Sequence, residues 1–457
     1  MDIAFSSASE LAAAISQGVV SAAAVLDAHL AQIERHNPAL NAVVTLDADS
    51  ARQQAHTADK AIKHGDPLGP LHGVPFTLKD AHETKDLRTT VGFPPFANYV
   101  PAQDSVVVAR LKAAGAILVG KTNTAMLLGD FQSGNPLFGR TNNPWNVERT
   151  PGGSSGGAAA ALAAGMTPFE IGTDMQSSIR LPAHFCGVFG LKPTENRVSL
   201  EGGFPSPGGA PRTIHIMSCI GPMARSAEDL ALLYRIIAGP DARDTDVQPV
   251  PIDDVPALDV KGLRIAYALT FPGFPVAADI REAIEALAKK LANAGAIVAG
   301  AELPELDFHA DLQAGGELIG MMLGAAQPDK DAPPPSLADY FAALHKRDRS
   351  IVAWENFLSQ WDALLCPASM TSAFPHCEAG APLQVDGRDE DYWMVAGHGA
   401  LFNYSGHPAI AMPCGLGRQG LPIGVQLVGK RWSESRLLAI AQALSPLTGG
   451  FRRPPGY

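Results

Sequence analysis

The segment spanning residues 150–194 constrains the fold of this chain more than any other part of it. It reads TPGGSSGGAAAALAAGMTPFEIGTDMQSSIRLPAHFCGVFGLKPT, so a Gly/Ser-rich loop precedes an Ala-rich helical run and then a short apolar strand. An aspartate and a second pair of serines follow the strand. A helix and a strand within a few residues of the loop, with no spacer, argue against a plain Gly/Ser linker and for a packed α/β unit.

The same order of helix and strand recurs along the chain. Residues 104–122 predict a helix that closes near Gly115, followed by the strand AILVG. Residues 278–300 predict a helix with one apolar face ahead of the strand AIVAG. That face consists of Ile280, Ile284, Leu287 and Leu291. The alternation predicts an α/β fold, in which a single large, mostly parallel or mixed sheet is covered by helices on both faces.

Both ends of the chain carry further signals for secondary structure. Ser7 and Glu10 predict a capping box at a first helix, and Ser21 predicts the start of a second helix. Near the C-terminus, DALLCPA, PAIAMPCG and PIGVQLVG predict buried strands, and SESRLLAIAQAL predicts a closing helix. Residues 240–260 and 326–336 are rich in Pro and Asp and predict surface connections.

Composition bounds the class of protein. The 457 residues suffice for a large core, and 46% apolar with 18% charged residues is typical of a globular chain. We expect one domain over residues 1–457, with the segment 240–350 peripheral to the catalytic half. The net charge of −11 argues against a nucleic-acid partner and against an anionic membrane surface.

Cysteine usage and the N-terminus indicate a cellular compartment. The five cysteines are odd in number, lack CxxC spacing, and are Cys186, Cys219, Cys366, Cys377 and Cys414. They predict buried thiols in a reducing compartment and no disulfide framework. No basic region precedes an apolar stretch at the N-terminus, and no 18 consecutive residues are apolar. We therefore expect a cytoplasmic protein without a membrane span.

Two short motif matches are misleading. GAILVGKT at 115–122 fits a phosphate-binding loop, but its middle residues form an apolar strand and the glycine before them ends a helix, so the required order is reversed. GSSGG at 153–157 fits the nucleophile elbow of α/β hydrolases with Ser155 as the nucleophile. The elbow needs an apolar strand directly upstream, whereas NNPWNVERTPG is polar and broken by two prolines.

Two serine clusters and a distant lysine supply the parts of a nucleophilic relay that needs no histidine. Lys79 stands in the apolar stretch GVPFTLKD. A lysine with its ordinary pKa of about 10.4 cannot accept a proton at neutral pH, whereas burial lowers the pKa of an amine. The apolar neighbours of Lys79 predict such burial.

Several motifs together resemble the amidase signature family of Ser-Ser-Lys hydrolases. They are GVPFTLKD, LVGKTN with NPLFGRTNNPW, TPGGSSGG, and GTDxxxSIRxPAxFCGVxGLKPT, followed by GPMARSAEDLALL, FNYSGHPAI and GLPIGVQLVG. The resemblance covers most of the chain outside residues 240–350. It implies the amidase signature fold and hydrolysis of a carboxylic amide to an acid and ammonia or an amine.

The resemblance also assigns roles to residues of this chain. It implies that Lys79 is the base, that Ser154 follows a cis peptide bond and relays the proton, and that Ser178 is the nucleophile that forms an acyl-enzyme. Glycines on both sides of the serine pair make such a backbone sterically accessible. Ser155 is expected to support the relay through a hydrogen bond.

Further residues complete the expected site. The backbone N–H groups of Met175, Gln176, Ser177 and Ser178 are expected to form the oxyanion hole. We expect Asp174 to hydrogen-bond the loop backbone and Arg180 to anchor the loop through a charge-assisted bond. Leu128 matches a family position beside the acyl chain of the substrate, although packing in the core explains an apolar residue there equally well.

This chain departs from the family directly before the nucleophile, where Gln176 and Ser177 replace the usual Gly-Gly. If that backbone needs a positive φ, a non-glycine residue there is strained by roughly 1–2 kcal/mol. The side chain of Gln176 would fill part of the pocket or donate a hydrogen bond to the substrate. The alternative interpretation is a non-catalytic or weakly active homologue that binds a ligand or a partner.

The remaining expectations concern ligands and assembly. The histidines at 72, 184, 376 and 407 lack metal-binding spacing, so we expect no metal and no other cofactor. The expected partner is a small-molecule amide, whether primary, aryl or fatty-acyl, and esters could also be cleaved. Membership of a tRNA-dependent amidotransferase is a specialised version that no residue outside the common motifs favours. A homodimer is expected on base rates alone.

Overall fold

The computed structural model describes residues 1–206, 212–326 and 336–457, and within these ranges helices alternate with strands. The helices are α1 (Ala8–Ser16), α2 (Ala22–Leu40), α3 (Ala48–His64), α4 (Val106–Ala113), α5 (Gly156–Ala163), α6 (Arg180–Cys186), α7 (Ala227–Ile237), α8 (Ala278–Asn293), α9 (Phe308–Ala326), α10 (Leu337–Leu358), α11 (Gly397–Tyr404) and α12 (Glu434–Thr448). The strands are β1 (Val43–Leu46), β2 (Pro75–Lys79), β3 (Ile117–Thr122), β4 (Gly134–Asn135), β5 (Gly139–Arg140), β6 (Phe169–Asp174), β7 (Phe189–Lys192), β8 (Cys219–Ala224), β9 (Arg264–Tyr267), β10 (Ile297–Gly300), β11 (Ala363–Pro367), β12 (Leu383–Val385), β13 (Arg388–Glu390), β14 (Ala409–Leu416) and β15 (Pro422–Val428).

Eight of the strands form one large mixed sheet in the order β10-β9-β11-β15-β14-β7-β8-β6. The strands β10, β9 and β11 run parallel to one another, and the remaining neighbours pair antiparallel. Strands β9 and β10 come from the segment 240–350, and they lie at the edge opposite to β6. The division of the chain into domains stays a prediction.

Helices cover both faces of this sheet, as the alternation of elements predicted. Adjacent residues of a strand point to opposite faces. Ala411 of β14 packs in a small apolar cluster with residues of α5 and α6. Its neighbours Ile410 and Met412 pack in the main core together with residues of α7, α8 and α12. The α/β fold with a large mixed sheet between two layers of helices is therefore confirmed.

A second sheet has three strands in the order β1-β3-β2, and these strands do not pair with the strands of the large sheet. Its strand β2 runs parallel to β3 and packs against β6, the edge strand of the large sheet. Lys79 is the last residue of β2, and Asp174 is the last residue of β6. The two sheets therefore bring the lysine of one strand and the serine-bearing turn after the other into one region.

Most local predictions agree with the structure. The hydroxyl of Ser7 accepts the N–H of Glu10 at 3.1 Å, and the Glu10 carboxylate accepts the N–H of Ser7 at 2.9 Å, which completes the capping box. Residues 240–260 connect α7 to β9. Of the other predicted connection, residues 327–335 lie outside the described residues.

The described residues meet neither the requirements for a membrane-spanning helix nor those for a metal site. Within residues 1–206, 212–326 and 336–457, no helix is both long enough and apolar enough to cross a membrane. In the same ranges, no group of three or more His, Cys, Asp or Glu side chains is arranged to hold a metal ion.

Candidate active site

The amine of Lys79 lies at the centre of the candidate site. All five residues of β2 are buried, and the Lys79 side chain has no exposed surface. Its Nζ lies within hydrogen-bond distance of three hydroxyls, Ser154 Oγ at 2.7 Å, Ser155 Oγ at 2.9 Å and Thr173 Oγ1 at 2.7 Å. All three hydrogen-bond partners are neutral hydroxyls.

The environment of Lys79 favours its uncharged form. Burial lowers the pKa of Lys79 from the ordinary 10.5 to about 7, and the charges of Asp174 and Glu170 oppose this change. Burial also raises the pKa of Glu170 to about 8, so that this carboxyl tends toward its own neutral form. A substantial fraction of the Lys79 amine is therefore free to accept a proton at neutral pH.

The glycine-rich loop presents Ser154 and Ser155 to the lysine. The peptide bond between Gly153 and Ser154 is cis, as the resemblance implies. A Cβ on Gly153 would lie 2.6 Å from the carbonyl oxygen of Asp130 and 2.7 Å from the backbone nitrogen of Gln132, so no side chain fits there. Close approach of two backbone segments therefore explains the glycine at 153.

Ser155 joins the lysine to the turn over residues 174–178, which we call the nucleophile turn because it carries Ser178, the expected nucleophile. Its backbone N–H donates to the carbonyl oxygen of Ser178 at 3.2 Å. Its hydroxyl accepts from Lys79 and donates to the carbonyl oxygen of Thr173 at 3.4 Å. These contacts place Ser155, and with it Ser154, next to the turn that carries Ser178, and the supporting role of Ser155 stays a prediction.

The nucleophile turn is built around a buried ion pair. Arg180 Nη2 and Nε donate to the two carboxylate oxygens of Asp174, each at 3.0 Å, and both side chains are fully buried. Burial opposes the ionisation of Asp174, but the charges of Arg180 and Lys192 and the hydrogen bonds from Arg180 and Asn403 together lower the pKa of Asp174 to about 2. The carboxylate also accepts the backbone N–H groups of Ser177 at 2.9 Å and Ile179 at 3.1 Å.

The backbone of this turn refines the expected oxyanion hole. Ser177 has a φ of 70°, the left-handed conformation that a glycine would favour. Its N–H donates to Asp174 and, at 3.2 Å, to Asn403 Oδ1, so it is already used within the protein. This contradicts the expectation that Ser177 contributes a free donor. Met175, Gln176 and Ser178 remain as the candidate donors.

Ser178 and its neighbours form the open side of the site. Ser178 is 7% exposed, whereas Lys79 and Ser154 have no exposed surface. Met175 and Gln176 are both partly exposed. The side of the turn that solvent reaches thus carries Ser178, the expected nucleophile, and Gln176, which stands where the resemblance implies a glycine.

Sequence reasoning missed Thr173 and Asn403. Thr173 is the third hydroxyl on Lys79 and precedes Asp174 in β6. Asn403 belongs to α11 and reaches the nucleophile turn from more than two hundred residues away in the chain. Both lie in the quoted family motifs, GTD and FNYSGHPAI, and this position in a motif was the only signal that could have found them.

Leu128 and Lys121 lie in elements next to this site. Leu128 is partly buried in a short 3₁₀ turn and has a φ of 62°. That turn follows Thr124, whose hydroxyl donates to the carbonyl oxygen of Ser154 at 2.8 Å, and a substrate contact of Leu128 stays a prediction. Lys121, the lysine of the rejected phosphate-binding match, is buried in β3 and donates to the carbonyl oxygen of His82 at 2.6 Å.

The arrangement can transfer a proton between a buried amine and serine hydroxyls. A neutral amine has two N–H donors and one lone pair, so one of its three hydroxyl neighbours has to donate to it. The hydroxyl of Ser155 already donates to a carbonyl, which leaves Ser154 and Thr173 as the groups able to donate to Lys79. Activation of a serine as a nucleophile requires a base that can take up its proton, and a neutral amine hydrogen-bonded to a serine hydroxyl can act as such a base.

A family model and a known protein both match most of this chain. A family model described as Amidase matches residues 24–319 and 320–438. Over 488 aligned positions the chain is 34% identical to a protein of Roseiflexus sp. (strain RS-1) that is named as a glutamyl-tRNA(Gln) amidotransferase subunit, covering 97% of this chain and 96% of that protein.

Two solved structures share the architecture over nearly the whole chain. The first, 6-aminohexanoate cyclic dimer hydrolase in complex with substrate, has a TM-score of 0.84 and 27% identity, covering 99% of both chains. The second, a bacterial aryl acylamidase, has a TM-score of 0.84 and 27% identity, covering 97% of this chain and 96% of that one.

Proposed function

This chain belongs to the amidase family, and from that premise we propose that it is an amidohydrolase acting through an acyl-enzyme. In the proposal Ser178 is the nucleophile, Ser154 is the relay and Lys79 is the base. The substrate is a carboxylic amide, and the products are a carboxylic acid and ammonia or an amine.

The observation that carries the proposal is the contact between the buried amine of Lys79 and the hydroxyl of Ser154 at 2.7 Å. An exposed lysine would be protonated at neutral pH and could not serve as a base. Burial brings the pKa of Lys79 to about 7, and a general base is most effective when its pKa lies close to the pH at which the enzyme works.

The proposed reaction has two stages. Ser178 Oγ attacks the carbonyl carbon of the amide while its proton passes through Ser154 to Lys79. The tetrahedral intermediate collapses, the carbon–nitrogen bond breaks, and the leaving nitrogen takes the proton back from the relay. Water then attacks the ester on Ser178 with the same assistance, which releases the acid and regenerates the serine.

Backbone N–H groups of the nucleophile turn would stabilise the negative charge that develops on the carbonyl oxygen. Met175, Gln176 and Ser178 are the candidates, since the N–H of Ser177 donates to Asp174. One such donor contributes roughly 3–4 kcal/mol in other hydrolases. The buried pair of Asp174 and Arg180 would hold these donors in place without reacting.

The test uses a fluorophosphonate probe, which modifies an activated serine without knowledge of the natural substrate. We expect labelling of the parent protein, none in Ser178→Ala, and a loss of more than a hundredfold in rate in Lys79→Ala. Ser405→Ala removes a buried serine at the C-terminus of α11 as a matched control. Absence of labelling in folded parent protein supports the alternative of a silent homologue that binds a ligand or a partner. Equal rates in Lys79→Ala and the parent exclude Lys79 as the base.

A second candidate function follows from the similarity to amidotransferase proteins. The chain is about one-third identical to proteins named as glutamyl-tRNA(Gln) amidotransferase subunits, and almost all of both chains is covered. In that case the chain would act as one component of an assembly. Hydrolysis of primary, anilide or fatty-acyl amides by the isolated chain supports the first candidate. A labelled protein that hydrolyses none of them when isolated supports the second.

A further inference from the structure

Asn403 makes an unusual number of contacts with the nucleophile turn. Its side chain is fully buried near the end of α11. Its Oδ1 accepts from Arg180 Nη2 at 2.6 Å and from the N–H of Ser177 at 3.2 Å. Its Nδ2 lies 2.9 Å from Asp174 Oδ1, 3.0 Å from the Asp174 carbonyl oxygen and 3.1 Å from the carbonyl oxygen of Met217. The Asn403 amide thus hydrogen-bonds to the backbone of the nucleophile turn, to the ion pair of Asp174 and Arg180, and to the segment before β8.

The chemistry of the position explains why an amide stands there. Arg180 offers donors and Asp174 offers acceptors, and both are fully removed from water. A side chain between them has to accept from the cation and donate to the anion while carrying no charge itself. An amide does both at once, because its oxygen accepts while its separate NH2 group donates.

We infer that Asn403 is a positioning residue that fixes the nucleophile turn in its reactive shape. The inference rests on the proposed function, in which Ser178 attacks the substrate. Ser177, directly before Ser178, is held at a positive φ, and its N–H is shared between Asp174 and Asn403. Loss of the amide would release one of the two acceptors that hold this backbone.

The chain offers a matched control in Gln426 of β15. Gln426 is also a fully buried amide, and its Oε1 accepts from Arg180 Nη1 at 3.1 Å. Its Nε2 donates to the carbonyl oxygens of Pro367 at 2.9 Å and His398 at 3.1 Å. Gln426 therefore contacts the same arginine, but its other bonds go to the scaffold and not to the nucleophile turn.

The experiment compares fluorophosphonate labelling rates of Asn403→Ala and Gln426→Ala at a temperature where both variants are folded. We expect a loss of about a hundredfold in Asn403→Ala, the size of effect expected when a reacting group shifts by about 1 Å. We expect a loss of less than tenfold in Gln426→Ala. Equal losses in the two variants, or full activity in Asn403→Ala, overturn the inference. If Asn403→Ala does not fold, Asn403→Ser takes its place, and its loss still has to exceed that of Gln426→Ala.

Hydrogen exchange gives a second readout that needs no activity. The amides of Ser177, Ile179 and Arg180 are expected to exchange faster in Asn403→Ala than in the parent, and to exchange as in the parent in Gln426→Ala. Unchanged exchange in Asn403→Ala overturns the inference. A parent protein that is not labelled at all overturns the proposed function instead, and exchange still decides whether Asn403 holds the turn.

Discussion

Replacing Lys79 by methionine should change how stability depends on pH, and this change tests the uncharged amine directly. In the folded protein burial lowers the pKa of Lys79 from 10.5 to about 7. Between about pH 7 and 10.5 the unfolded chain therefore binds this proton while the folded protein does not. Stability rises with pH wherever the unfolded state binds more protons, so the parent gains stability across this window.

The magnitude follows from the two pKa values. A change of one unit corresponds to about 1.4 kcal/mol, so the window corresponds to about 5 kcal/mol in total. Lys79→Met lacks this contribution. The free energy of unfolding of the parent, relative to the variant, should rise by about 1.4 kcal/mol per pH unit above pH 7 and stay level below it.

Calorimetry between pH 6 and 9 measures the effect. For 457 residues the entropy of unfolding is about 1 kcal/mol per kelvin, so the difference in Tm should grow by about 1.4 °C per pH unit above pH 7. The exposed Lys289, replaced by methionine in the same way, controls for the loss of a lysine as such. Parallel curves for the parent and Lys79→Met from pH 7 to 9 would refute an uncharged amine at this position.

Four further predictions follow from the same geometry. The labelling rate of Ser178 should rise about tenfold per pH unit up to about pH 7 and then level off, because Lys79 reacts only after losing its proton; a rate independent of pH from 5.5 to 8 would contradict this. Ser177→Gly should raise stability by roughly 1 kcal/mol in calorimetry, since φ is 70° and the buried hydroxyl has no partner among the described residues; a lower Tm would contradict it. Gly399→Ala should destabilise the protein by roughly 1–3 kcal/mol, because its Cβ would lie 2.2 Å from Ser177 Oγ, and Ser177→Gly in the same chain should remove most of that cost. Gln176→Gly should change the ranking of primary, anilide and fatty-acyl amides by kcat/KM while leaving Tm nearly unchanged, and an unchanged ranking would place this side chain outside the substrate pocket.

Elements that depend on local patterns could be predicted from the sequence. The apolar face of α8, the capping box of α1 and the helix–strand pair over 157–173 agree with the structure because each is encoded within about twenty residues. The order of the strands could not be predicted. The separate sheet of β1, β3 and β2, and its packing against β6, depend on contacts between segments roughly forty to a hundred residues apart.

The candidate site shows the same division. Lys79, Ser154 and Ser155 could be named from the sequence because they stand in the short motifs GVPFTLKD and TPGGSSGG. The structure places the two hydroxyls within 2.9 Å of the amine. Thr173 and Asn403 could not be assigned. A threonine in a strand and an asparagine in a helix have many uses, and only the packing of β6 and α11 gives them partners in the site.

The two residues that replace glycine differ in their physical consequences. Ser177 adopts the left-handed backbone, so the strain falls on that position, whereas Gln176 is not among the residues with positive φ. The turn is nevertheless held by bonds from the N–H of Ser177 to Asp174 and Asn403. Strain of roughly 1–2 kcal/mol at one residue is smaller than the roughly 3–5 kcal/mol lost when one partner of a buried ion pair is removed. The replacement of glycine therefore lowers the stability of the protein but leaves the shape of the turn intact. This favours an active hydrolase with an altered pocket over a silent homologue.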